Sequence, residues 1–209
     1  MRHDVAKIPL LEIFTRRSDT FLIAVGLKVS EIAFVSVATV FSITYVTREL
    51  GMSRSTVFNG ILLAAVIEIF TIPAFGYLSD RYGRKPLFIA GCVFSILFAF
   101  PMFWLFQSRD PLIIAVTIAV AVSLGQGIMF GPEATWVAEL FAARLRYSGA
   151  SLGFQIGAAL SGGLTPIVAA GLLAWSGATW SISFYLIALP VVTLAATLAA
   201  PETARRQLA

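Results

Sequence analysis

With 58% apolar residues, only 12% charged residues and a mean hydropathy of +0.89, a chain of 209 residues has too little polar surface to cover a water-soluble globule. Its formal charge of +4 lies in short segments flanking apolar runs rather than along one amphipathic face, which argues against nucleic acid as a partner. The single cysteine, Cys92, precludes an intrachain disulfide, and the single histidine, His3, leaves no metal-ligand cluster; no cofactor is implied.

Residues 1–19 mix Arg2, Lys7, Arg16 and Arg17 with Asp4, Pro9 and Glu12, and lack the short apolar core and cleavage site of a signal peptide. They read as a cytoplasmic lead-in. Residues 20–200 hold six apolar runs, at 21–46, 56–78, 86–106, 112–137, 148–175 and 179–199. Each is long enough to cross roughly 30 Å of hydrocarbon at about 1.5 Å per residue. The predicted fold is therefore an all-α bundle of six transmembrane helices, followed by a cytoplasmic tail at 201–209. Breakers and charges separate the runs: Arg48 to Gly51, Gly76 to Lys85, Gln107 to Pro111, Arg144 to Arg146, and Ser176 with Gly177. With the N-terminus inside, eleven cations (Arg2, Lys7, Arg16, Arg17, Arg81, Arg84, Lys85, Arg144, Arg146, Arg205, Arg206) fall on the inner side and three (Arg48, Arg54, Arg109) on the outer. That bias predicts both termini in the cytoplasm.

Ionisable residues inside the spans are costly in hydrocarbon and therefore mark candidate sites. Lys28 and Glu31, three apart on one helical face, can pair. They read either as a counter-ion for an anionic solute with its partner or proton carrier, or as a structural pair whose lysine snorkels toward the cytoplasm. Glu68, near the middle of the second span, is a candidate proton carrier or a neutral group hydrogen-bonded to a neighbouring helix; Pro73 and Gly76 follow and can bend that helix. On the fourth span Gln126 and Glu133 are seven apart and share a face. Gln126 reads as a substrate contact, while Glu133 is expected to pair with Arg144 or Arg146 in a scaffold for an inner gate. Gly149, Gly153, Gly157 and Ser161 form a small-residue stripe on the fifth span, which leaves Gln155 facing away from that packing surface, toward a cavity.

The loop GYLSDRYGRK resembles the signature of the major facilitator superfamily, G-x-x-x-D-R-x-G-R-[RK], at Gly76, Asp80, Arg81, Gly83, Arg84 and Lys85. The stretch ELFAARLRYSGASLGFQIGAALSGG, from Glu139 to Gly163, is similar to the C-terminal half of the metabolite:proton symporter branch. Lys28, Glu31 and the closing Pro201 to Thr203 agree with that resemblance, although Ala142 stands where the branch has a helix-ending proline. The resemblance implies the C-terminal six-helix half of a proton-coupled symporter for a small carboxylate-bearing metabolite in the bacterial inner membrane. It implies a substrate site near the membrane midplane between two halves, hence a matching N-terminal half or a second copy as partner, and a signature loop that helps to hold the inside closed. The chain then reads as a piece of a longer transporter or as a half-size product. A truncated, non-transporting interaction module is the alternative, and an enzyme is disfavoured because no nucleophile–base pair occurs.

Overall fold

In a computed structural model, which describes residues 18–204, six helices are long and apolar enough to cross a membrane: α1 (Ser18–Glu49), α2 (Arg54–Tyr82), α3 (Arg84–Phe106), α4 (Pro111–Leu140), α5 (Arg146–Ser176) and α6 (Trp180–Ala199). The lead-in cations Arg2 to Arg17 and the tail residues Arg205 and Arg206 lie outside the described residues. Most of the helices overrun the apolar runs by a few residues. The apolar run records the hydrocarbon thickness, whereas the helix continues until a cap or a special backbone angle stops it.

Those stops are local. Ser53 caps α2 by accepting from the Ser55 backbone N–H at 3.3 Å, and Asp110 caps α4 by accepting from Leu112 and Ile113 at 2.8 and 3.1 Å, with Pro111 at the first helical position. Gly83 alone separates α2 from α3, at φ 114°, and Gly177 ends α5 in the left-handed region. Phe141 leaves the helical region (φ −101°, ψ 142°) and so ends α4 without the missing proline; its ring lies over Gly149, where a Cβ would come within 2.5 Å of it.

Within the spans the chain widens into π-helix at Val37–Phe41 and Tyr45–Glu49 of α1, Ala121–Gln126 of α4 and Ala159–Gly163 of α5. Such widened turns re-aim side chains without breaking the helix. Pro73 is accommodated inside a continuous α2.

Helix α1 is central, against α4, α5 and α6; α2 packs chiefly on α4, and α3 lies against α4 and α6. Small residues permit these approaches, as expected where lipid offers no hydrophobic drive for helix association. A Cβ on Gly131 would meet the backbone of α2 at Ile72 O (2.8 Å) and Gly76 N (2.9 Å), and the Gly153–Gly157 stripe of α5 lies on Ala24 and Lys28 of α1. One apolar cluster, with Phe41, Tyr45, Phe103 and Phe106, fills the end near residues 45–52; another, with Leu27, Phe88, Met129 and Trp136, fills the end near the signature loop. Helices α2 and α5 are the least buried and carry large apolar residues outward, among them Ile69, Phe70, Ile167 and Trp175.

Candidate functional site

Between the two apolar clusters lies a group of buried charges. Lys28 Nζ is 2.5 Å from Glu31 Oε2, one turn along α1, and donates to Glu133 Oε2 of α4 at 3.0 Å; none of the three side chains is more than 1% exposed. Lys28 therefore does not snorkel. It is held inward because Gly157 of α5 makes room for its stem: a Cβ there would sit 2.7 Å from Lys28 Cβ. The ammonium also stands over two aromatic rings, Phe154 at 3.9 Å and Phe130 at 5.1 Å from the ring centres.

Glu133 is thus Lys28's partner, not the partner of Arg144 or Arg146 that its spacing suggested. Seven residues of α4 follow Glu133 before the helix ends at Leu140. They carry the chain about 10 Å along the axis before the turn that holds Arg144 and Arg146 begins. Among the described residues, Glu31 Oε1 and Glu133 Oε1 are buried with no hydrogen-bond partner. One ammonium between two carboxylates leaves one negative charge in excess, which is expensive in low dielectric unless a proton joins the group.

Of the other expected polar residues, Gln126 and Glu68 lie near this point and Gln155 and Arg144 do not. Gln126, at the end of the π-helical turn of α4, lies beside Glu31. Glu68 of α2 is half-buried, within electrostatic reach of Glu31, and its Oε1 has no partner among the described residues. Gln155 is exposed on the outer side of α5 and lines an open groove with Arg146, while Arg144 sits exposed in the preceding turn.

The signature loop builds a second charged assembly. Arg84 Nη1 contacts Asp80 Oδ1 and Ser79 Oγ, each at 2.5 Å, and its Nη2 donates to Glu139 Oε1 of α4 at 3.2 Å. Glu139 Oε2 accepts from Thr203 Oγ1. Within this chain Asp80 pairs with Arg84. The cap on α3 is Glu202, which accepts from the backbone N–H groups of Arg84 (3.0 Å) and Lys85 (2.9 Å). Burial alone would raise the Glu202 carboxyl, but backbone donors from Ala204, Arg84, Lys85 and Thr203 hold it below the ordinary carboxylate value. Lys85 Nζ donates to Leu198 O, and Trp136 Nε1 to Pro201 O, both at 3.0 Å. Arg81 is exposed against the Tyr82 ring. Gly83 is required on two counts: its positive φ, and Glu202 Oε2 only 2.8 Å from where a Cβ would stand.

Sequence reasoning did not single out Phe130, Phe154, Glu139, Glu202 or Trp136. Glu202 left a readable signal, an acidic residue directly behind an apolar helix end, but its target lies over 100 residues away in the chain.

The sequence profile of the Major Facilitator Superfamily matches residues 20–208. The shikimate transporter of Escherichia coli is 31% identical over 87% of this chain and 42% of its own length, and the proline/betaine transporter of Salmonella typhimurium is 31% identical over 98% and 41%. The citrate-proton symporter of Klebsiella pneumoniae is 26% identical over 76% and 36%. The chain spans less than half the length of each of these relatives, which are transporters and not enzymes. No solved structure matches it significantly.

Proposed function

The chain belongs to the Major Facilitator Superfamily and is a multi-pass integral membrane protein, and from that premise we propose that it is the C-terminal six-helix half of a proton-coupled symporter for a small carboxylate. The observation that carries this reading is the Lys28–Glu31–Glu133 cluster. A buried ammonium with aromatic neighbours is suited to receive a solute carboxylate. With the solute in place, one cation faces three carboxylates, so entry of the anion favours uptake of protons by the cluster and departure favours their release. That linkage is the physical content of symport. Glu68 and Gln126 border the cluster and serve as a proton relay and a solute contact, with Gln155 on the cavity side. The solutes in the relatives' names, shikimate, citrate, proline and betaine, share a carboxylate.

A matching six-helix half, or a second copy, supplies the other side of the cavity, seated against the exposed flanks of α2 and α5 while lipid covers the rest. The loop-end clamp holds the inner side closed, with Arg81 and Lys85 at the cytoplasmic surface of the inner membrane and both termini inside. Uptake in cells tests the reading: the chain alone accumulates none of shikimate, citrate or proline, and a co-expressed N-terminal half restores uptake that collapses with the proton gradient. Uptake restored but insensitive to that gradient would remove the proton from the proposal, and no uptake with any partner half would favour a non-transporting module. Tyr82→Cys, exposed in the loop, is shielded from an impermeant thiol reagent in intact cells, whereas Ser108→Cys is labelled.

A further inference from the structure

On the side of α5 away from its glycine stripe, an open groove with a volume of about 530 Å³ lies between α4 and α5, toward the end that carries the signature loop. Phe154 and Gln155 line its inner end, Arg146 and Tyr147 lie eight residues earlier on α5, and Ser151 stands between; alanines and Val137 make up most of the remaining wall. Eight residues of helix place Arg146 about 12 Å from Phe154. The same Phe154 ring covers the Lys28 ammonium at 3.9 Å, and Lys28 is only 1% exposed. The ring is therefore a wall one side chain thick between the buried cation and the groove. Arg146 adds a second cation, and its Nε is buried without a hydrogen-bond partner among the described residues.

Resting on the reading of Lys28 as a carboxylate site, we infer that this groove is a vestibule for the same anionic solute, with Phe154 as the door between it and Lys28 and Arg146 as a second anion-binding group. The volume suits a small metabolite. A rotamer change of Phe154 joins the two compartments. It costs the cation–π contact, which an arriving carboxylate replaces with a stronger charge pair. The solute then passes from one cation to the next without standing uncompensated in apolar surroundings.

Thiol labelling of the purified chain in nanodiscs tests both parts. Lys28→Cys reacts slowly with methyl methanethiosulfonate while Phe154 is present and about 10-fold or more faster with Phe154→Ala, as expected when access costs a side-chain barrier of 1.4 kcal/mol or more. The native Cys92, fully buried, stays unmodified in both and reports an intact core. Equal rates overturn the door. The second measurement leaves the charge cluster untouched: Ser151→Cys reacts faster with the 2-sulfonatoethyl reagent than with its trimethylammonioethyl counterpart, and Arg146→Gln removes that preference. A preference unchanged by Arg146→Gln overturns the anion vestibule. If the Lys28 reading itself fails, Lys28→Gln still supports uptake by the paired halves; if only the vestibule fails, Lys28→Gln abolishes uptake while both labelling comparisons stay flat.

Discussion

Two assemblies in this molecule share one formula, a cation between two carboxylates from different helices or turns, and their differences are what the proposed roles of site and fastener rest on. At mid-bundle, Lys28 joins Glu31 and Glu133, all three fully buried, and each carboxylate keeps an oxygen without a partner among the described residues. At the loop end, Arg84 joins Asp80 and Glu139, and Thr203 and Ser79 complete the bonding. The guanidinium fork fixes several acceptors at once, whereas the ammonium is a point charge that can change partners. Asp80 stands in water, where its charge costs little; Glu133 is 1% exposed. A buried group one hydrogen bond short is poised to take a solute or a proton, and a satisfied one near water holds helices together.

Substitutions should break the two assemblies to different extents. Lys28→Met strands two buried carboxylates and should cost about 3–5 kcal/mol, read as the fall in thermal unfolding midpoint in detergent, and adding Glu133→Gln should recover much of it. Gly83→Ala forces a side chain into a positive-φ position against Glu202. It should cost about 1–3 kcal/mol and loosen the α2–α3 turn to proteolysis. Arg84→Lys keeps the charge but loses the fork, and should cost about 1 kcal/mol in the same unfolding assay. The smallest effect belongs to Glu202→Gln, which acts through pH. Because the folded Glu202 carboxyl lies below its ordinary value, its contribution is present above that value and disappears as pH falls through the lower folded one. Glu202→Gln should therefore flatten the acid limb of unfolding and leave stability unchanged in its pH dependence near neutrality.

Much of the architecture was readable because hydrocarbon imposes a length and forbids charge, so apolar runs and their flanking cations disclose the spans. Lys28 and Glu31 were readable as a pair because they share a helix and a face. Glu133 was assigned to nearby arginines because sequence proximity is all a linear reading offers; the fold instead brings it to a residue 105 positions away. Phe154 carries no signal of its own in the sequence, and only its contacts with Lys28 and the groove distinguish it. The Glu202 cap escaped for the same reason: a helix N-terminus advertises its need for an acceptor, but not which distant residue will meet it.

The counter-ion role of Lys28 is tested most directly by equilibrium binding to the purified pair of halves, with radiolabelled shikimate and citrate as probes. Glu133→Gln serves as the reference because it keeps the ammonium and relieves the crowding of carboxylates around it. If Lys28 receives the solute carboxylate, Glu133→Gln binds the probe, Glu133→Gln with Lys28→Arg binds it more weakly, and Glu133→Gln with Lys28→Gln does not bind it at all. Undiminished binding by the Lys28→Gln double variant, with the protein folded and present in equal amount, would contradict the assignment and leave the buried cluster as a structural joint.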